Sequence, residues 1–212
     1  MTHWIAIALF GVAVLMACGT PADEAAAAPL PVYGFHDTTP DGDTLYHTIS
    51  DFKFVNQAGD TITNATFAGK AYLVDFFFLS CSTICPKVSK QMLRLYEEFE
   101  DQDDILLLAH TVDPKRDTVG ALRTYASNLG VKADKWHFVT GDKDEIYEIA
   151  EDYLSVAVEN PDAPDGIDHS GRIILVDPQG RVRAYANGTD PIAVEDLMVD
   201  IRRLLAEMNS PS

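Results

Sequence analysis

The sequence predicts one α/β domain with a mostly parallel central sheet, an added N-terminal hairpin and flanking helices. Three observations predict it. Apolar runs of strand length, rich in β-branched and aromatic residues, alternate with runs whose apolar residues recur at helical spacing. That alternation favours parallel pairing, because each helix carries the chain back across the sheet before the next strand begins. The composition, 47% hydrophobic and 23% charged over 212 residues, is that of an ordinary globular chain long enough to bury one core.

Taken in order, residues 1–18 read as a leader. Ile5 to Ala17 is continuously small or apolar and too short for an ordinary membrane span. It ends in Leu15-Met-Ala-Cys18, which resembles a bacterial lipobox and implies lipidation of Cys18. Met1-Thr-His-Trp4 lacks the usual Lys or Arg, and a plain signal peptide or an uncleaved anchor are the alternatives. All three place the rest of the chain outside the cytoplasm, and a lipid or an uncleaved leader would also hold it to a membrane, facing the periplasm or the cell exterior. Each also removes Cys18 from any chemistry with the other two cysteines.

Gly19 to about Tyr33 is aperiodic and rich in Ala and Pro, the pattern of a flexible tether, which leaves residues 34–210 as the domain. Phe35 to Thr48 is polar, with a turn at Pro40-Asp-Gly-Asp43. Asp51 to Val55 and Thr61 to Thr63, either side of a Gly-containing loop, form the added hairpin. Tyr72 to Leu79 is the central buried strand. Pro86 opens an amphipathic helix, Lys87 to Glu100, since a proline in the first turn gives up no hydrogen bond. Ile105 to Val112 is a second buried strand, and Asp117 caps a helix that runs to Asn128 and stops at Gly130. Trp136 to Val139 is a short strand, Asp142 to Leu154 a helix, and Asn160 to Asp168, rich in Pro, Asp and Gly, a loop. Arg172 to Val176 and Arg181 to Ala186 form a terminal hairpin around Pro178-Gln-Gly180. Asp190-Pro191 starts a last helix through Met208.

The chemistry concentrates where the central strand meets its helix. Cys81 and Cys85 flank Ser82-Thr83-Ile84, with Cys85 at the helix N-terminus, where free N–H groups and the macrodipole favour thiolate. Residues four apart on a helix have Cα atoms about 6 Å apart, close enough for a disulfide. The same two sulfurs can instead hold one metal ion. Two inert structural cysteines are the plain alternative, and a third ligand would decide. The formal charge of −17, all of it after residue 18, makes nucleic acid a poor partner.

Four stretches between about Ser50 and Leu205 then bear on identity: Gly69-Lys-Ala-Tyr-Leu-Val-Asp-Phe-Phe-Phe78, Cys81-Ser-Thr-Ile-Cys-Pro86, Thr111-Val-Asp-Pro-Lys-Arg-Asp-Thr118, and Asp168-His-Ser170 followed by Ile173-Ile-Leu-Val-Asp-Pro-Gln-Gly180. In this order they resemble the Sco/SenC family of copper-binding, thioredoxin-like proteins. The resemblance implies a thioredoxin-like fold and one copper ion held by Cys81, Cys85 and His169. Thiolates suit Cu(I), and a neutral imidazole suits Cu(I) or Cu(II). The chain departs from many relatives at Ser82-Thr83-Ile84, where those carry Pro or Asp, and in having a lipobox for an anchor. His110 is a lesser candidate for an auxiliary ligand or base. Asp168 and Ser170 are candidates to hold the His169 ring. His36, His47 and His137 read as ordinary, and His3 goes with the leader.

Two functions of different classes follow from the resemblance. One is a non-enzymatic copper metallochaperone that delivers copper to the dinuclear copper centre of cytochrome c oxidase, with the copper-accepting subunit as partner. The other is a membrane-tethered thiol–disulfide oxidoreductase that reduces the oxidase cysteines, with Cys81 and Cys85 as nucleophile and resolving thiol in either order. Both allow a reversible Cys81–Cys85 disulfide in an oxidising compartment. His169 separates them, since thiol exchange has no need of an imidazole. A thioredoxin-type reductase also carries a Pro opposite its cysteines, and no Pro stands between Asp165 and Asp177. A peroxidase of this fold would carry a single-cysteine P-x-x-x-T/S-x-x-C pattern, which is absent.

Overall fold

The computed structural model describes residues 28–163 and 165–209. The leader, Cys18 and residues 19–27 lie outside them. From residue 28 the chain is packed onto the domain, so the expected tether does not extend to Tyr33. Leu30 is buried, and its N–H donates to Glu207 Oε1 at 2.6 Å. The reason lies in Arg183, whose buried guanidinium must find acceptors. It donates to the carbonyls of Pro31 (3.0 Å) and Leu30 (2.6 Å) and pairs with Asp177 (3.1 Å) and Glu207 (2.8 Å).

Two short strands, β1 (Asp37–Thr38) and β2 (Thr44–Leu45), pair around the Pro40-Asp-Gly-Asp43 turn. Next, β3 (Lys53–Asn56) and β4 (Thr61–Thr63) form the expected hairpin. The central strand β5 (Ala71–Phe77) is buried along its whole length and feeds helix α1 (Cys85–Phe99), whose inner face carries Val88, Met92, Leu95, Tyr96 and Phe99. The next unit is β6 (Ile105–Thr111) with α2 (Val119–Leu129), which ends on Gly130 in the left-handed conformation at φ 72°. Strand β7 (Trp136–Thr140) leads into α3 (Lys143–Asp152), capped by the Asp142 carboxylate. A separate hairpin comes next, β8 (Ala157–Glu159) with β9 (Ile167–His169). The chain closes with β10 (Arg172–Val176), β11 (Val182–Asn187) and α4 (Pro191–Met208), which starts at the Asp190 cap.

Among the described residues the main sheet has seven strands in the order β11-β10-β5-β6-β7-β3-β4. Only β5, β6 and β7 run parallel to one another. Both flanks are antiparallel, so the sheet is mixed rather than mostly parallel. Each flank is a hairpin, whose short link reverses the chain between its two strands, and each flank also meets the crossover-built core antiparallel. The parallel centre puts the C-terminal ends of β5 and β6 side by side, where ligand sites of open α/β sheets lie.

Candidate metal centre

The two cysteines occupy the bend between β5 and α1. The Cys81 N–H donates to the Phe78 carbonyl at 3.2 Å, and the Leu79 N–H donates to Asp117 Oδ2 at 3.0 Å. The same carboxylate oxygen accepts the Thr111 hydroxyl at 2.5 Å. Asp117 therefore does not cap α2 as the sequence suggested. Thr118 does, its hydroxyl accepting the Ala121 N–H at 3.3 Å, while the buried Asp117 turns inward to fix the strand end before Cys81. At the start of α1, Pro86 sits in the first turn and Ile84 offers no side-chain cap. The orphan N–H of Cys85 instead points at Cys81 Sγ, 3.4 Å away.

His169 comes from the β8–β9 hairpin, which is hydrogen-bonded to neither edge of the main sheet. The sequence suggested that His169 opens a strand after a long loop. It instead ends β9, and the stretch from Asn160 to Asp168 is the turn of a separate hairpin that enters β9 at Ile167. The chain after it is pinned by a close approach. The Gly188 N–H donates to the Gly171 carbonyl at 2.7 Å, and a Cβ on Gly188 would lie 2.9 Å from that oxygen. The His169 ring packs edge-on against Phe78, with centroids 5.5 Å apart.

These elements bring the three expected residues together. His169 Nε2 lies 3.3 Å from Cys85 Sγ and 3.9 Å from Cys81 Sγ. The ligand atoms of Cys81, Cys85 and His169 all fall within 4.8 Å of one another, the one such gathering of His, Cys, Asp or Glu among the described residues. Two sulfurs and one imidazole nitrogen make a donor set for a soft or borderline ion. Both cysteines are free thiols here. Asp168 and Ser170 do not hold the ring. Asp168 accepts from Asn160 Nδ2, Ser170 bonds Ser155, and His169 Nδ1 is buried without a protein partner.

The two thiols are polarised in opposite directions. For Cys81, burial alone would raise the pKa, but bonds from the Cys85 thiol, His169 and the N–H groups of Cys85 and Thr83 outweigh it and bring the thiol down to about 6. Burial, then the neighbouring Cys81 and Asp75, push Cys85 up. This reverses the expectation that the helix N-terminus activates Cys85. The N–H groups there serve the sulfur one loop earlier, while Cys85 itself is sunk into the core.

His110 lies apart from this cluster, fully buried among Phe52, Phe54, Phe76 and Tyr153 with both nitrogens unpartnered. It is no auxiliary ligand. Burial lowers it to about 3, and burial raises Asp75 to about 7. Their effects on stability oppose each other. Between about pH 6.5 and 3 only the unfolded chain protonates His110, so stability is lost as pH falls. Between about pH 3.8 and 7 only the unfolded chain ionises Asp75, so stability is lost as pH rises. Asp75→Asn removes the second slope. From pH 4 to 6.5 its unfolding free energy should climb about 1.4 kcal/mol per pH unit faster than that of the wild type. Urea titrations at several pH values measure this, and parallel profiles would mean that Asp75 is ionised in the fold.

The sequence reading missed two further contacts at the site. Asp117 stood in view within the Asp113-Pro-Lys-Arg-Asp117 stretch but was given a local role. Asp165 gave no signal; its carboxylate accepts from Ser82, inside the cysteine loop.

The profile of the SCO1/SenC family matches residues 40–206. A SCO1 protein homolog from Bacillus subtilis (strain 168) is 30% identical over 162 residues, 76% of this chain and 84% of that protein. A structure of BsSco, a member of the Sco family of cytochrome c oxidase assembly proteins in which a disulfide switch is identified, superposes with a TM-score of 0.65 at 29% identity. It covers 74% of this chain and 93% of that one. Bradyrhizobium japonicum ScoI with copper bound gives a TM-score of 0.58 at 25% identity, over 74% and 99% of the two chains.

Proposed function

Because the chain belongs to the SCO1/SenC family, we propose that it is a copper metallochaperone that holds one copper ion on Cys81, Cys85 and His169 and passes it to the copper-accepting subunit of cytochrome c oxidase. The observation that carries this reading is His169 Nε2 standing within 4 Å of both sulfurs. A soft S₂N donor set suits Cu(I), and its nitrogen also accommodates Cu(II). Three donors leave room for an acceptor's sulfur to enter before one of the three leaves. The copper-bound ScoI relative and the oxidase-assembly role of BsSco support the cargo and the destination.

Anaerobic Cu(I) titration with thiol counting tests this reading. The reduced protein should take one copper per chain and lose both reactive thiols as it does so. Oxidation should join Cys81 and Cys85 in a disulfide, and that form should take no copper until reduced. Copper uptake at full stoichiometry with the sulfurs bonded to each other would exclude this ligand set.

The split between the two thiols favours a second activity at the same site, reduction of the oxidase cysteines. Cys81, the more acidic sulfur, would attack and Cys85 would resolve. The domain would work at a membrane surface outside the cytoplasm, tethered by lipid on Cys18. Leu15-Met-Ala-Cys18 supports this reading. Mass spectrometry of the membrane-associated protein should show an acylated N-terminus at Cys18, whereas an intact Met1 would point to an uncleaved anchor.

A further inference from the structure

The two ligand-bearing segments are joined a second time, at a pair of residues that bind no metal. Asp165 sits in the turn of the β8–β9 hairpin, four residues before His169. Ser82 lies between Cys81 and Cys85. The Ser82 N–H donates to Asp165 Oδ2 at 3.0 Å, and its hydroxyl reaches Oδ1 at 3.0 Å and Oδ2 at 3.2 Å. Both backbone and side chain of one residue are therefore gathered by one carboxylate.

The mooring of the hairpin makes this contact consequential. At its base, Ser170 N–H donates to Val156 O, Ser155 and Ser170 share a hydroxyl bond, and Gly188 bonds Gly171. Along β8, Glu159 pairs with Lys143 of α3. The turn itself is closed internally, by Asn160 N–H to Gly166 O and Gly166 N–H to Ala163 O. Apart from the Cys–His contacts, the hydrogen bonds that tie the tip of this hairpin to the cysteine loop, among the described residues, are those to Asp165. His169 stands between the fixed base and that tip.

We propose that Ser82 and Asp165 form a clasp that positions His169 against the two sulfurs, so that opening the clasp frees the hairpin to carry the imidazole away from the thiols as one unit. This rests on the copper reading of the site and adds a control on release. Neither residue donates to the metal, so the clasp should govern how fast copper leaves more than how many ions bind. The chemistry of Ser82 suits a clasp. Alanine there keeps only the amide donor, proline would remove it, and threonine keeps both donors.

Two measurements on the full chain decide it. In the first, Asp165→Ala should bind one Cu(I) per chain yet surrender it to a chelator about tenfold faster, the scale of a lost hydrogen bond to a charged group. Ser82→Ala should fall between the variant and the wild type, and Ser82→Thr should restore slow release. In the second, hydrogen exchange on the metal-free protein should show faster exchange at residues 165–169 in Asp165→Ala, with β5 and β6 unaffected. An unchanged release rate at intact stoichiometry, or unchanged exchange in the hairpin, overturns the clasp. Should the wild type bind no copper, the proposed function falls, and the exchange experiment still decides the clasp.

Discussion

Replacing Cys81 by serine should abolish tight Cu(I) binding. Cu(I) is soft, and a hydroxyl oxygen at the same place is a poor ligand for it. Cys81 is also the sulfur that the surrounding N–H groups hold toward thiolate, so the change removes the site's ready-made anion. The remaining Cys85 is buried and pushed toward its neutral form, so binding there must first overcome the cost of deprotonation in a poorly solvated position. The loss should exceed the ~10–100-fold that removal of an outer-shell partner costs a metal site. Competition with a Cu(I) chelator of known affinity measures it. Wild-type affinity and stoichiometry in Cys81→Ser would remove the thiol pair from the ligand set.

His169→Ala should divide the two activities proposed for the site. Thiol exchange uses the sulfurs alone, and Cys81 keeps its bonds from the N–H groups of Cys85 and Thr83 after the ring is gone. Exchange with a small disulfide should therefore survive at a rate within a few-fold of wild type, an order-of-magnitude expectation for one lost hydrogen bond. Copper behaviour should change more. Cu(I) would be left on two sulfurs, and Cu(II), which favours the harder nitrogen, should no longer bind tightly. Measuring transfer to an acceptor and exchange on one preparation makes the comparison internal. Transfer lost with exchange intact is the chaperone's outcome. Transfer and exchange both intact would require withdrawing His169 as a ligand and would favour the reductase.

Much of the fold was legible because its signals are local. The apolar run ending at Leu79 had to be a buried strand, and Asp142, Gly130 and Asp190-Pro191 mark helix ends by chemistry that acts within a few residues. Cys81, Cys85 and His169 were legible from their motifs, and the structure gathers them. What the sequence hid depends on distant partners. Asp117 looks like a cap beside a helix, but Thr111 and Leu79, from two different strands, claim its carboxylate. Polar residues from Asn160 onward look like loop because β8 and β9 pair only with each other, outside the main core. Leu30 lies in a stretch with the composition of a linker, and only Arg183, 153 residues away, makes its carbonyl a needed acceptor. The activation of Cys81 over Cys85 turns on which sulfur the helix N–H groups reach, and spacing does not specify that direction.

The docking of Leu30 and Pro31 also sets where the N-terminal segment leaves the domain. Val176 pairs with Tyr72 and with Val182, so Arg183 and the segment it holds lie at the end of the sheet where β5 begins. The thiols lie beyond the other end of that strand, roughly 20 Å away at the usual rise per residue. A chain tethered at Cys18 would therefore stand like a stalked cup, with its base toward the bilayer and its rim outward. The ten residues from Cys18 to Ala28, fully stretched, reach at most about 35 Å. The cargo would then be offered as far as roughly 55 Å above the lipid. With such a tether, a recipient projecting into the aqueous compartment would be within reach, as would one nearer the lipid.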